Sequence, residues 1–173
     1  MMRLSAARFL AVIALGLAVA APAVTVPASA EPRGKVVAFG RYAINESGKP
    51  EKAERTVAGE VKPVDNPRLI QETDEIVGQL GNTFGFEVDL AGLPPGPVNL
   101  VIRTIHPALT NSETGKTMTV SEYDWTVSAR EKVYFGFTFD YRWEIAEGTW
   151  TKQVVYNGKV LAEKKFKVIV PLN

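Results

Sequence analysis

The chain has 173 residues, with 20 basic and 19 acidic side chains, one histidine and no cysteine. A balance this close to neutral leaves no electrostatic footprint for nucleic acid. The missing cysteine excludes disulfides, thiol nucleophiles, thiolate metal sites and a lipid-bearing cysteine after a leader; one histidine excludes H-E-x-x-H and any other site needing two.

The first thirty residues read as a signal peptide. Arg3 and Arg8 precede an uncharged apolar run over residues 9–21, and Ala28-Ser29-Ala30 has the small-x-small form of a cleavage site. The run is about thirteen residues, short of the roughly twenty that cross a bilayer; a retained anchor is the alternative. Cleavage between Ala30 and Glu31 predicts one domain over residues 31–173, with no transmembrane segment. A chain of that length buries roughly two-thirds of its unfolded surface without help from metal or disulfide. Removing Arg3 and Arg8 leaves 18 basic against 19 acidic residues, a net charge of about −1. An exported, disulfide-free chain with an Ala-rich leader points to a bacterial protein, periplasmic or secreted.

Beyond the leader, alternation with period two dominates, the signature of half-buried strands. It predicts strands over residues 35–43 and, more weakly, 53–62, with a brief pairing over 67–72. Residues 74–80 (DEIVGQL) are the best short helical candidate, interrupted by Gly78. Phe84, Phe86, Val88 and Leu90 alternate cleanly over 83–90, and Pro94, Pro95 and Pro97 then force a loop. Residues 98–105 are apolar on both faces, as in a central strand that His106-Pro107 ends. Strands over 117–127 and 132–143 are joined by Ser128 to Glu131, and strands over 149–156 and 159–170 flank Asn157-Gly158. That dipeptide is preferred in a two-residue type I′ hairpin. Seven to nine strands at spacings of about ten residues predict an all-β, immunoglobulin-like antiparallel β-sandwich.

Each chemical candidate has a structural competitor. Val133, Phe135, Phe137, Phe139, Tyr141 and Trp143 share one face. Half-burial requires such a row, so it is read as the inner wall of the sandwich, not a stacking platform. Tyr141 and Trp143 are read as projecting past the core, and with Trp125 they form the candidate ligand-contact rim. His106 is read as a strand-end residue, since no G-x-S-x-G elbow accompanies it. Glu72, Asp74 and Glu75 lack the spacing of a calcium loop and read as a solvated turn. Asp124 and Glu144 each adjoin a tryptophan, as the carboxylates of a glycosidase would. Lys159, Lys164, Lys165 and Lys167 read as guards of an edge strand. Asn45-Glu46-Ser47 is a glycosylation sequon, normally unused in bacteria.

Three stretches carry a likeness: residues 70–86 (IQETDEIVGQLGNTFGF), the Ile105-His106-Pro107 strand end, and Trp143-Glu144 with Gly148-Thr149-Trp150 and the hairpin to Phe166. Together they resemble a bacterial family of short exported proteins known as domain of unknown function 3859, over about residues 35–170. Its motifs are turn glycines and core aromatics. The resemblance implies one compact domain and supplies no activity and no catalytic residues.

The sequence thus predicts a non-enzymatic binding or accessory module of the cell envelope, without cofactor or metal. Its partner would be an envelope protein or a glycan, not nucleic acid. A small carboxylate-dependent polysaccharide hydrolase and a purely structural envelope protein are the alternatives. Binding predicts an apolar patch away from the core; hydrolysis predicts a concave pocket with two carboxylates and a perturbed pKa.

Overall fold

A computed structural model describes residues 30–128 and 132–171. Nearly all of the predicted leader and most of the predicted connection at 129–131 therefore lie outside the described residues. Among those described, the elements are β1 (Arg33–Glu46), β2 (Glu51–Lys52), β3 (Glu60–Val61), β4 (Val64–Gln71), β5 (Glu75–Val77), β6 (Thr83–Ala91), β7 (Pro97–Thr110), β8 (Thr117–Ser128), β9 (Lys132–Thr138), a 3-10 turn (Arg142–Glu144), β10 (Gly148–Tyr156) and β11 (Lys159–Ile169).

They form two facing sheets, ordered β4-β1-β6-β9 and β5-β11-β10-β7-β8, with β2 and β3 as a separate short ribbon. Pairing is antiparallel except for β5, which runs parallel to β11 with Glu75 opposite Lys167. The alternation over 83–90 does what it implies. Phe84, Phe86 and Val88 are fully buried and pack against Trp150, Phe166, Leu100 and Ile102 of the other sheet. The Phe84 ring meets Trp150 edge-on at 5.8 Å and Phe166 at 5.1 Å. Such pairs add about 0.5–1.5 kcal/mol to the burial of each ring.

The β10–β11 hairpin forms as its turn chemistry requires. Asn157 and Gly158 both have positive φ, 47° and 78°, which a type I′ turn needs at both central positions.

Four local expectations are corrected. Residues 74–80 are not helical; they hold strand β5 and the chain that follows it. The predicted strand over 53–62 is mostly a turn, at 54–59, and holds only the two-residue strand β3, which pairs with β2. His106-Pro107 does not end β7, which runs to Thr110. The β7–β8 register shifts between Ile105 and Leu109, and β10 pairs β7 only over Val101–Ile105, so the proline falls where its missing N–H breaks no regular ladder. The aromatic strand stops at Thr138 because its partner β6 begins at Thr83, directly opposite. Phe135 and Phe139 are core, Phe137 is half-buried, and Tyr141 and Trp143 belong to the 3-10 region beyond. Lys164 also departs from the guard pattern: it turns inward, its Nζ 3.4 Å from the centre of the Phe39 ring.

Candidate functional site

The two sheets meet closely along one edge and gape along the other. On the closed edge β1 lies on β11. A Cβ on Gly34 would sit 3.1 Å from both the Leu161 carbonyl and the Ala162 Cβ, so glycine is what permits the approach. On the other side β9 faces β10: Phe137 lies 4.9 Å from Trp150, and the Lys152 Nζ donates to the Gly136 carbonyl at 3.1 Å. The four-stranded sheet ends at β9, and β7 and β8 continue past it.

Residues 53–64 roof the space so left. The Glu122 amide donates to the Arg55 carbonyl (2.9 Å), and Arg55 pairs with Asp124 (2.8 Å) and Glu122 (3.3 Å). The Lys116 Nζ donates to the Glu54 and Thr56 carbonyls, and the Asn111 Nδ2 to that of Val57. Beneath is a cavity of about 470 Å3, within the roughly 300–1,000 Å3 of ligand sites.

Register makes this cavity two-ended. Lys152, Thr104 and Ser121 lie side by side across β10, β7 and β8. The side chains two, four and six residues further along β8 are Tyr123, Trp125 and Val127, which face Val133 and Phe135 of β9 across the cavity. From Ser121 to Val127 is about 20 Å of strand. One end is polar; the other is aromatic and aliphatic.

Lys152 is 1% exposed. Its Nζ donates to the Thr104 Oγ1 and the Gly136 carbonyl, each at 3.1 Å, and no carboxylate of the described residues pairs with it. Burial pushes its pKa down from 10.5 to about 7. Beyond the end of β9, Glu144 is also buried, and burial raises its carboxyl to about 7 against the opposing pull of the Tyr141 and Asp140 amides. Those two amides donate to its Oε2 at 2.9 and 2.7 Å. Asp140 pairs with Lys62 at 3.1 Å, and Glu60 accepts from the Tyr141 hydroxyl.

His106 is a buried strand residue stacked on Trp150. Its Nδ1 lies 2.8 Å from the Pro107 carbonyl, which only accepts, so Nδ1 carries the proton; Nε2 then accepts from the Ser121 hydroxyl at 2.9 Å. Burial lowers its pKa, with Lys152 adding to the effect. A backbone carbonyl occupies the place that a triad gives to a carboxylate.

Of the three rim residues, Trp125 (37% exposed) and Tyr141 line the cavity. Trp143 stacks on Tyr141, 5.2 Å between ring centres, and packs against the core. Asp124 and Glu144 are not brought together: the Asp124 side chain is 72% exposed and held by Arg55, whereas Glu144 is buried. The acidic turn stays at the surface, with Asp74 near Lys164 and Glu75 near Lys167, and no group of metal-ligating side chains occurs among the described residues. Sequence reasoning missed Lys152, although it shares the inward parity of Trp150 and Val154 and so carried a readable signal. The Ser121–His106 pairing had none.

A family model for a domain of unknown function, DUF3859, matches residues 32–168, and the chain belongs to that family. No curated protein matches it. An immunoglobulin-like protein from Pseudomonas aeruginosa is similar in structure, with a TM-score of 0.59 and 23% identity, over 82% of this chain and 99% of that one. The fold is therefore an immunoglobulin-like β-sandwich. The alkylpurine DNA glycosylase AlkC of Pseudomonas fluorescens, at 18% identity, aligns with a TM-score of 0.36 over 55% of this chain and 27% of its own. A likeness that low carries no argument.

Proposed function

We propose that this DUF3859 domain is an exported, non-catalytic binding module of the bacterial cell envelope, and that it takes an apolar ligand between β8 and β9. The observation that carries the reading is the roofed cavity of about 470 Å3, with Tyr123, Trp125, Val127, Val133 and Phe135 along its wall. Apolar lining with a few polar groups at one end is the usual composition of a small-molecule site. The leader over residues 1–30 supports export.

A neutral apolar dye, N-phenyl-1-naphthylamine, tests the site. Saturable one-site binding is expected for the wild-type protein and not for Val133→Trp, which fills the cavity. Equal binding by both would move the ligand elsewhere. Intact mass of the periplasmic protein tests export: a chain starting at Glu31 is expected, and a full 173-residue mass would overturn it.

Glu144 favours one second reading, a polysaccharide hydrolase, because its carboxyl titrates near neutrality beside the same cavity. Glu144→Gln decides between them. An unaltered biological role supports binding, and loss of the role in a fully stable variant supports catalysis.

A further inference from the structure

We propose that the ligand of this cavity is an amphiphilic monocarboxylate, an apolar chain or ring system ending in one carboxylate, with Lys152 as the anchor of its head group. The inference rests on the binding reading above and adds the chemical class. The two-ended cavity calls for a ligand with a polar head and an apolar tail. About 14 Å of apolar wall runs from Tyr123 to Val127 along β8, and the polar groups gather where Lys152, Thr104 and Ser121 lie side by side.

The hydrogen-bond inventory sets the sign of the head group. A lysine ammonium has three donors and no acceptor. Lys152 spends two of them, on the Thr104 Oγ1 and the Gly136 carbonyl. Thr104 accepts there, and its own proton is committed to no described residue. Ser121 spends its proton on His106. The head end therefore offers one ammonium N–H and the Thr104 O–H, and the buried, unpartnered Tyr134 hydroxyl lies beside them against Gly136, which suits an acceptor.

Charge agrees. The acidic groups beyond the end of β9 are already occupied: Glu144 by two backbone amides, Asp140 by Lys62 and Glu60 by Tyr141. Lys152 is the buried cation at this end, and no described carboxylate pairs with it. A buried ammonium without one is costly, and a carboxylate brought by the ligand removes that cost. A neutral or cationic amphiphile would not.

Decanoate and 1-decanol, matched in tail and differing in head, test this by calorimetric titration of the mature protein. Decanoate is expected to bind at least about tenfold more tightly than decanol. Lys152→Met should erase that preference. Thr104→Val, a milder change, should reduce the preference without abolishing it. Equal affinities in the wild type, or a preference that survives Lys152→Met, would overturn the anchor and leave the cavity as an apolar site. If neither ligand binds, the binding reading falls with it.

Discussion

The side-chain nitrogen of Lys152 on β10 lies 3.1 Å from the carbonyl oxygen of Gly136 on β9, so a lysine from one sheet bonds the backbone of the other. Among the described residues β9 is the last strand of its sheet, and no strand pairs with its outer flank. A tether from the opposite sheet meets one of those carbonyls while keeping the edge open, and the open edge is what leaves the cavity. The cost is a buried amine.

That cost has a pH signature. The unfolded chain holds a proton on Lys152 between about pH 7 and its ordinary 10.5, where the folded chain has released it. The stability contributed is complete above pH 10.5 and is lost as the pH falls through about 7. Glu144 runs the other way: its carboxyl rises from 4.5 to about 7, so its contribution is complete below pH 4.5 and lost as the pH climbs through 7. Urea unfolding across both windows should show Lys152→Met flattening the upper one and Glu144→Gln the lower. A Lys152→Met profile parallel to wild type above pH 7 would contradict the burial of the amine.

The aromatic row should divide energetically where it divides structurally. Phe84 is fully buried among Phe139, Trp150 and Phe166, and Phe84→Ala is expected to cost roughly 3–5 kcal/mol. Phe137 is half-buried and also faces the cavity, so Phe137→Ala should cost only about 2 kcal/mol while enlarging the site. Chemical denaturation of both variants measures the difference. Equal costs would place Phe137 in the sealed core.

Two glycines should fail for different reasons. Gly158 has φ of 78° with open space around it, so Gly158→Ala carries only the left-handed backbone penalty, about 1–2 kcal/mol. Gly34→Ala meets no such penalty but drives a methyl to 3.1 Å from the Leu161 carbonyl and the Ala162 Cβ, which pries β1 from β11. Thermal unfolding should register both. Only Gly34→Ala is expected to increase amide exchange in β11.

Much of the fold was legible locally. Alternation placed Phe84, Phe86 and Val88 inward, and Asn157-Gly158 specified its hairpin, because face and turn depend on neighbours a few residues apart. The same locality explains the errors. Nothing near residue 138 announces that β9 stops there, since β6, which ends the pairing, lies more than fifty residues away. Nothing near Pro107 tells that the β10 ladder has already ended at Ile105.

Of the candidate rim, Trp125 and Tyr141 line the cavity, whereas Trp143 stacks on Tyr141 and packs against the core. By itself the sequence determined which side of each long strand is apolar, where the closing hairpin turns, and that no thiol or paired-histidine chemistry is available. Tertiary structure alone decided that five strands face four, that β9 lies over β10 instead of β8, and that Lys152, Thr104 and Ser121 become neighbours. A strand's face is set by a period of two residues, but the strand opposite it is chosen by packing the whole chain at once.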